Sequence, residues 1–423
     1  MRAGVLMTLA NKVIVLGVGL TSSIVIARAL GPQGRGGFAA AVALATMLVQ
    51  VGSLGITSAN PLFAAREPGA TGKLVTNSLW IAAVAGGCLA ALMLAIRGVA
   101  PSAVRGLTWT EVAVAGCIVP AMLSMLFLQS VFLGQGRMVV YNAVEASTTV
   151  LQLLALVALS ATTGLDVTLC LSVTLGTQVA AALIYLVLLQ RHRPPLSGPD
   201  AALMRRMARF AAKIWATGLL SYAVIRLDVL LVNGILGSRE AGFYSLAVTL
   251  VDMVCMVPLV VALNLYPRIL GATGPDLTVQ TIRTLAPCYL ALCAAVAAVA
   301  SPLITTLYGH EFDPSVPLFW WLAPGAFCMG MLNLVTYHYA ANGYPTQIVG
   351  FWAVALVINL AINVALLDPV GTVIASIASS AAYALLLALH LRMFRHEIGG
   401  LRMLVPRASD FRSLVRPRTV AER

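Results

Sequence analysis

Leu30-Gly31-Pro32-Gln33-Gly34-Arg35-Gly36 returns 206 residues later as Leu236-Gly237-Ser238-Arg239-Glu240-Ala241-Gly242. The same offset carries Pro61 onto Pro267, and an offset one larger carries Leu133-Gly134-Gln135-Gly136 onto Ala340-Ala341-Asn342-Gly343. Three matches in the same order read as two copies of one unit. In a strongly apolar chain, a duplicated half is the pattern of a secondary transporter whose substrate site lies between the halves.

Hydrophobic residues make up 60% of the chain and charged residues only 10%, against roughly 45–50% and about 25% in soluble domains. A bilayer is the solvent that suits such a composition. Apolar stretches of about 20 residues, enough to cross about 30 Å of hydrocarbon as a helix, can be placed about twelve times. They fall near residues 7–28, 37–58, 75–96, 111–133, 142–162, 168–190, 214–236, 241–265, 284–305, 317–340, 347–366 and 371–393. The expected fold class is therefore all-α and polytopic.

Lys and Arg near span ends are retained on the cytoplasmic side. With the N-terminus inside, inner segments hold 21 of the 27 Lys plus Arg, including eight arginines from Arg392 to Arg423. The outer ends keep Arg28, Arg35, Arg97, Arg105 and Arg239, and Arg226 is left inside a span. Both termini are expected in the cytoplasm, with a six-span lobe at 1–190, a basic linker and amphipathic helix at 191–213, a second lobe at 214–393 and a basic tail at 394–423. The net charge of +12 is thus a topology signal that also meets anionic lipid. No aromatic-interleaved basic groove accompanies it, so nucleic acid is not an expected partner.

Ala27-Arg28-Ala29 resembles a signal-peptide cleavage site, but the Leu-Gly motif that follows is half of the internal repeat, and cleavage there would destroy the symmetry. All seven cysteines fall in predicted spans without Cys-x-x-Cys or Cys/His ligand spacing, so they are expected in the core and no metal or cofactor is implied. No Walker-type loop or Gly-x-Ser-x-Gly elbow occurs. The energy for transport must come from a gradient or from the substrate.

Arg191-His192-Arg193-Pro194-Pro195-Leu196-Ser197-Gly198-Pro199-Asp200 separates the halves. Beyond it, Leu203, Met207, Phe210 and Ile214 fall on one helical face and Arg205, Arg206, Arg209 and Lys213 on the other, with Asp200 placed as a cap. This pattern predicts a helix lying along the inner membrane surface.

Arg226-Leu227-Asp228, then Leu236-Gly237, then Gly242-Phe243-Tyr244-Ser245-Leu246-Ala247, with Ala27-Arg28-Ala29-Leu30-Gly31 in the first half, resemble the polysaccharide flippases of the multidrug/oligosaccharidyl-lipid/polysaccharide exporter superfamily. The resemblance implies two six-helix lobes around a central cavity. It also implies alternating access and export of undecaprenyl-pyrophosphate-linked oligosaccharide to the outer leaflet of the cell inner membrane, for O-antigen, capsule or exopolysaccharide synthesis. Membrane lipids and a polysaccharide polymerase are the implied partners, with H⁺ or Na⁺ as the coupling ion. Lipid II flippases carry about two further spans and look less similar. Multidrug-extrusion cation antiporters share the architecture and remain the alternative.

A pyrophosphate and sugar hydroxyls crossing a bilayer need a polar, cationic cavity. Charges inside spans are functional candidates by default. Substrate contact falls to Arg28, Tyr222, Arg226, Asn233 and His338, and ion pairing or coupling to Glu145, Asp228 and Asp252. Tyr222, Arg226 and Asn233 form a polar stripe at helical intervals, and the planar fork of Arg226 matches phosphate oxygens. Arg226 and Asp252 lie 13 residues to either side of Arg239. Folded as a hairpin, they should meet at equal depth, with Ser245, Thr249, Asp252 and Met256 as the facing stripe. The structural alternatives are a snorkelling anchor for Arg28 and Glu145 and a packing role for His338.

A membrane glycan polymerase or ligase is the rival from another class. It would need catalytic groups on the outer face, where Tyr308-Gly309-His310-Glu311-Phe312-Asp313 is the richest connection. That loop lacks a supporting domain, so a non-enzymatic protein is expected.

Overall fold

The computed structural model describes residues 2–190, 198–270 and 274–407, and these form thirteen α-helices joined by short turns, without a strand. The first half holds α1 (Arg2–Gly52), α2 (Ile56–Arg66), α3 (Thr71–Val99), α4 (Trp109–Gly134), α5 (Met138–Thr162) and α6 (Val167–Gln190). The second holds α7 (Ala201–Ile235), α8 (Ser238–Ile269), α9 (Asp276–Ala298), α10 (Ala300–Tyr308), α11 (Ser315–Ala341), α12 (Gln347–Val370) and α13 (Val373–Ile398). Eleven of the described helices are long and apolar enough to cross a membrane. This is an all-α, multi-pass membrane protein.

The first of those eleven covers 42 residues, Asn11–Gly52, or about 63 Å of helix, twice the hydrocarbon thickness. It is two crossings joined at Gly31, whose φ of 64° and ψ of −177° break the helix. Glycine adopts that backbone at little steric cost, and Pro32 opens the second arm where a missing N–H has no helical partner to lose. The chain reverses here, because the Arg35 guanidinium reaches back to the Ser23 carbonyl at 3.0 Å. Gly237 repeats the turn between α7 and α8, with φ 99° and ψ 172°. The second arm closes at Gly52, short of the expected 58, and α2 continues it past a left-handed Gly55. The expected span at 284–305 is α9 and α10 in series, divided at Val299.

With the crossings alternating, the first and last described residues share one end of the bundle, the terminal end, and Gly31 and Gly237 lie at the other, the turn end. There the two copies of the repeat meet. A Cβ placed on Gly36 would stand 1.7 Å from the Ser238 carbonyl oxygen, and one on Gly242 would stand 1.9 Å from that of Pro32. Pro32 and Ser238 occupy equivalent positions of the repeat, as do Gly36 and Gly242, so the contact is reciprocal. Each half thus uses its glycine to admit the other's backbone.

The first half packs around Val119, Leu123, Phe127 and Phe132 of α4, and the second around Leu334, Val335, Leu386 and Phe394. A third core joins them, where Ala27 and Ala43 of α1 meet Phe243, Leu246 and Ala247 of α8. Outward-facing Trp80, Leu154, Val357 and Val364 form the lipid-facing surface. Cys88, Cys117 and Cys288 lie on that surface rather than in the core. Hydropathy cannot separate the two environments, since lipid tails are as apolar as a protein core.

Residues 191–197 of the linker and 408–423 of the tail lie outside the described residues. The amphipathic segment is the start of α7 and not a separate helix. Its Leu203, Met207 and Ala211 enter the first half's core, while Phe210 and Ile214 stay exposed. Asp200 caps it by accepting from the Leu203 N–H at 2.9 Å and pairs with Lys73 at 2.9 Å. The start of α7 therefore packs on α2, and its cap is tied to α3 through Lys73.

Candidate functional site

Between the halves lies a cavity of about 400 Å³, lined by both arms of α1 and by α5, α6, α7 and α8. Its wall is mostly small and hydroxyl-bearing, with Ser22, Ser23, Thr46 and Thr149 from the first half facing Ser245 and Thr249 from the second. Three charged side chains line it, Arg35, Arg226 and Asp252, which leaves one net positive charge.

Arg226 donates from Nη2 to Asp252 Oδ2 at 2.6 Å. The α7–α8 hairpin sets this contact: residues equally far from the turn reach equal depth on antiparallel helices. The two side chains stay 28% and 38% exposed, so the pair faces the cavity instead of being sealed in protein. Tyr222, one turn before Arg226, lines the same wall, as do Ser245 and Thr249 on α8, while Met256 is not among the lining residues.

Arg35 is held differently. It is 5% exposed, donating from Nη1 to the Ser23 carbonyl at 3.0 Å and Ser23 Oγ at 3.1 Å, and from Nη2 to Thr249 Oγ1 at 3.1 Å. Its guanidinium carbon sits 5.7 Å from the Tyr308 ring centroid, and its Nε–H has no hydrogen-bond partner among the described residues. Among the described residues, no carboxylate forms an ion pair with it. The charge tally assigned Arg35 to an outer span end, so sequence reasoning missed it. The available signal was its register with Phe38, Val42 and Thr46, a helical face that lines the cavity.

The other expected residues lie elsewhere. Arg28 is exposed, and its guanidinium donates to the carbonyls of Thr306 at 2.7 Å and Leu307 at 2.8 Å, closing the C-terminus of α10 as a cation there should. It does not line the cavity. Asn233 is fully buried and donates to the Arg105 carbonyl at 3.2 Å. Asp228 is buried, accepting from the Tyr244 hydroxyl, from Ser379 Oγ at 2.8 Å and from the Val229 N–H at 2.8 Å. His338 is buried between Thr278 Oγ1, 3.0 Å from Nδ1, and Glu397 Oε2, 3.1 Å from Nε2. Glu145 accepts from Lys12 at 2.7 Å and Asn11 at 2.9 Å, tying the start of α1 to α5. Arg226, Asp252 and Tyr222 are thus together on the cavity wall, and the other five are not on it.

Among the described residues, no group of three His, Cys, Asp or Glu could hold a metal ion.

A family model described as polysaccharide biosynthesis protein matches residues 1–271. No curated protein matches the chain. Among solved structures the chain is similar to a lipid II flippase MurJ in an inward closed conformation, at 12% identity and TM-score 0.78 over 97% of this chain and 89% of that one. It is also similar to an inward-facing multidrug resistance MATE family transporter of the MOP superfamily, at 14% identity and TM-score 0.68 over 91% and 94%. A MOP superfamily transporter from Pyrococcus furiosus, described as having a binding pocket of reverse polarity, gives TM-score 0.64 at 13% identity over 94% and 96%. At such identities the likeness is one of fold. The match of the family model over most of the chain, on a membrane bundle closed around a cationic cavity, places this protein in the polysaccharide biosynthesis protein family.

Proposed function

We propose that this protein flips undecaprenyl-pyrophosphate-linked oligosaccharide from the inner to the outer leaflet of the cell inner membrane by alternating access, for O-antigen, capsule or exopolysaccharide synthesis. The supporting observation is the cavity between the halves, where Arg226 faces open space while paired to Asp252 and Arg35 adds an unneutralised charge. A guanidinium presents paired donors that match phosphate oxygens, and the hydroxyl-lined wall suits sugars. The halves, 1–190 and 214–393, act as the two lobes, with both termini cytoplasmic and the turn end outside.

Before substrate binds, Asp252 holds Arg226. The incoming pyrophosphate takes over the guanidinium, and the released Asp252 carboxylate is free to bind H⁺ or Na⁺, which couples flipping to a gradient. The prenyl tail stays in lipid and the protein makes or breaks no covalent bond. The product emerges where a polysaccharide polymerase would receive it.

Lipid II flipping and multidrug antiport are the other readings: contrary to the expectation from span count, the MurJ fold matches this chain at a higher TM-score, 0.78, than the MATE fold, 0.68. A net positive cavity disfavours an organic cation. A flipping assay in vesicles, with a defined lipid-linked oligosaccharide and with or without a pH or Na⁺ gradient, separates them. Gradient-stimulated appearance of the glycan in the opposite leaflet is expected. Extrusion of an organic cation with no glycan flipping would overturn the proposal.

A further inference from the structure

Each half contains a smaller cavity of its own, and the two differ in chemistry. The one in the second half, about 310 Å³, is lined mainly by apolar side chains such as Ile225, Met329, Leu332 and Trp352. The one in the first half, about 180 Å³ between α4, α5 and α6, has eight polar residues among the twelve that line it. Gln129, Glu145, Thr148, Gln152, Thr177 and Gln178 are among them. Polar side chains at membrane depth cost free energy unless partnered, and they pack as interhelical glue or face a polar occupant.

Glue accounts for part of this wall. Gln152 donates to Thr174 Oγ1 at 3.3 Å. Thr148 and Thr149 donate to the carbonyls of Val144 and Glu145 at 2.8 Å each, and Thr177 to that of Thr174 at 2.9 Å. Those bonds use the hydroxyl hydrogens and leave the oxygens as acceptors. Half-buried Gln178 has no hydrogen-bond partner among the described residues, so its amide offers two donors and an acceptor to the space.

Charge narrows the occupant. The lining contains no cation, and its one carboxylate, Glu145, is already matched by Lys12 at 2.7 Å. A phosphate or an acidic sugar would find no counter-charge here, whereas a neutral polyhydroxyl compound would find amides and hydroxyl oxygens. Thr149 and Gln152 line both this pocket and the central cavity, so the two spaces meet along α5. From these observations we infer that the first-half pocket is a saccharide subsite, which receives neutral sugar hydroxyls or acetamido groups while the pyrophosphate occupies the central cavity. The inference rests on the functional reading above and extends it: the first half reads the sugar.

The test uses the full chain in lipid nanodiscs and two kinds of probe. One is undecaprenyl pyrophosphate alone, and the other is the same lipid carrying one N-acetylglucosamine or one galactose. The protein should bind at least one sugar-bearing lipid about fivefold or more tightly than the bare lipid, the value of about one hydrogen bond. Gln178→Leu should erase that preference and leave the affinity for bare lipid unchanged, which also shows that the variant is folded. Should the Leu variant lose bare-lipid binding, Gln178→Asn, with the amide drawn back by one methylene, should lower the preference at least twofold. Equal affinity for all probes, or a preference untouched by these substitutions, would overturn the subsite. Failure of the parent protein to bind any of the lipids would instead overturn the functional reading.

Discussion

Arg226 and Asp252 show how far a single charged pair constrains the mechanism. Removing one partner of a fully buried pair costs about 3–5 kcal/mol, and this pair should cost less because its side chains remain 28% and 38% exposed. If the contact were only structural, exchanging the two residues as Arg226→Asp with Asp252→Arg would restore both abundance and flipping. The proposed grip on pyrophosphate predicts restored abundance without flipping, read by immunoblot and vesicle assay, and full flipping by Arg226→Ala would exclude it. Arg28 is expected to behave differently. Its guanidinium caps α10, so Arg28→Ala should cost about 0.5 kcal/mol of stability and leave flipping within about twofold in the same assay. Both arginines precede a Leu-Gly turn, and residue type alone does not tell their roles apart. Hairpin arithmetic located the first because its partner lies on the adjoining helix. The surroundings of Arg28 come from α10, over 270 residues away in the chain, and those of Asp228 from α8 and α13, so no pattern along one helix could reveal them.

At the scale of elements, the reciprocal contact of Gly36 with Ser238 and Gly242 with Pro32 closes the turn end. A methyl group at either glycine would overlap a backbone carbonyl, which cannot rotate aside as a side chain could. Overpacking of this kind costs about 1–3 kcal/mol, all of it against the closed arrangement. Gly36→Ala should therefore open the turn end. In a variant lacking the seven native cysteines, a cysteine at Thr249 should react with an impermeant maleimide from that side, whereas the same probe on Gly36 protein should be shielded. The repeat was legible as motif, and what it does was not, because two glycines 206 residues apart show no sign of touching until the helices are placed. The start of α7 adds a pH-sensitive element. The Leu203 N–H and then Lys73 hold the Asp200 carboxyl below its ordinary range. A carboxylate with a depressed native pKa stabilises the fold above its unfolded pKa of about 3.9, and that stabilisation is lost as pH falls through the lower native value. Thermal unfolding of Asp200→Ala should accordingly converge with the parent in strong acid and fall below it at neutral pH.

For the molecule as a whole, hydropathy was enough to give an all-α membrane bundle, and the repeated motif its two halves. They were not enough to divide it cleanly, since the boundary at 191–213 leaves out a packing relation that only three-dimensional contact shows. α7 belongs to both halves. Leu203, Met207 and Ala211 sit in the core of the first, Trp215 donates to the Gln50 carbonyl at 2.9 Å, and Val224 of the same helix sits in the core of the second. A chain severed between residues 191 and 197 would yield two polypeptides, of which the second carries a plug shaped for the first. Co-expressed as separate fragments, they should find each other and copurify through an affinity tag on either one. Replacing Leu203 and Met207 by aspartate should abolish that recovery. The covalent link between the halves would then be dispensable for assembly, and the swapped first turns of α7 would serve as the clasp.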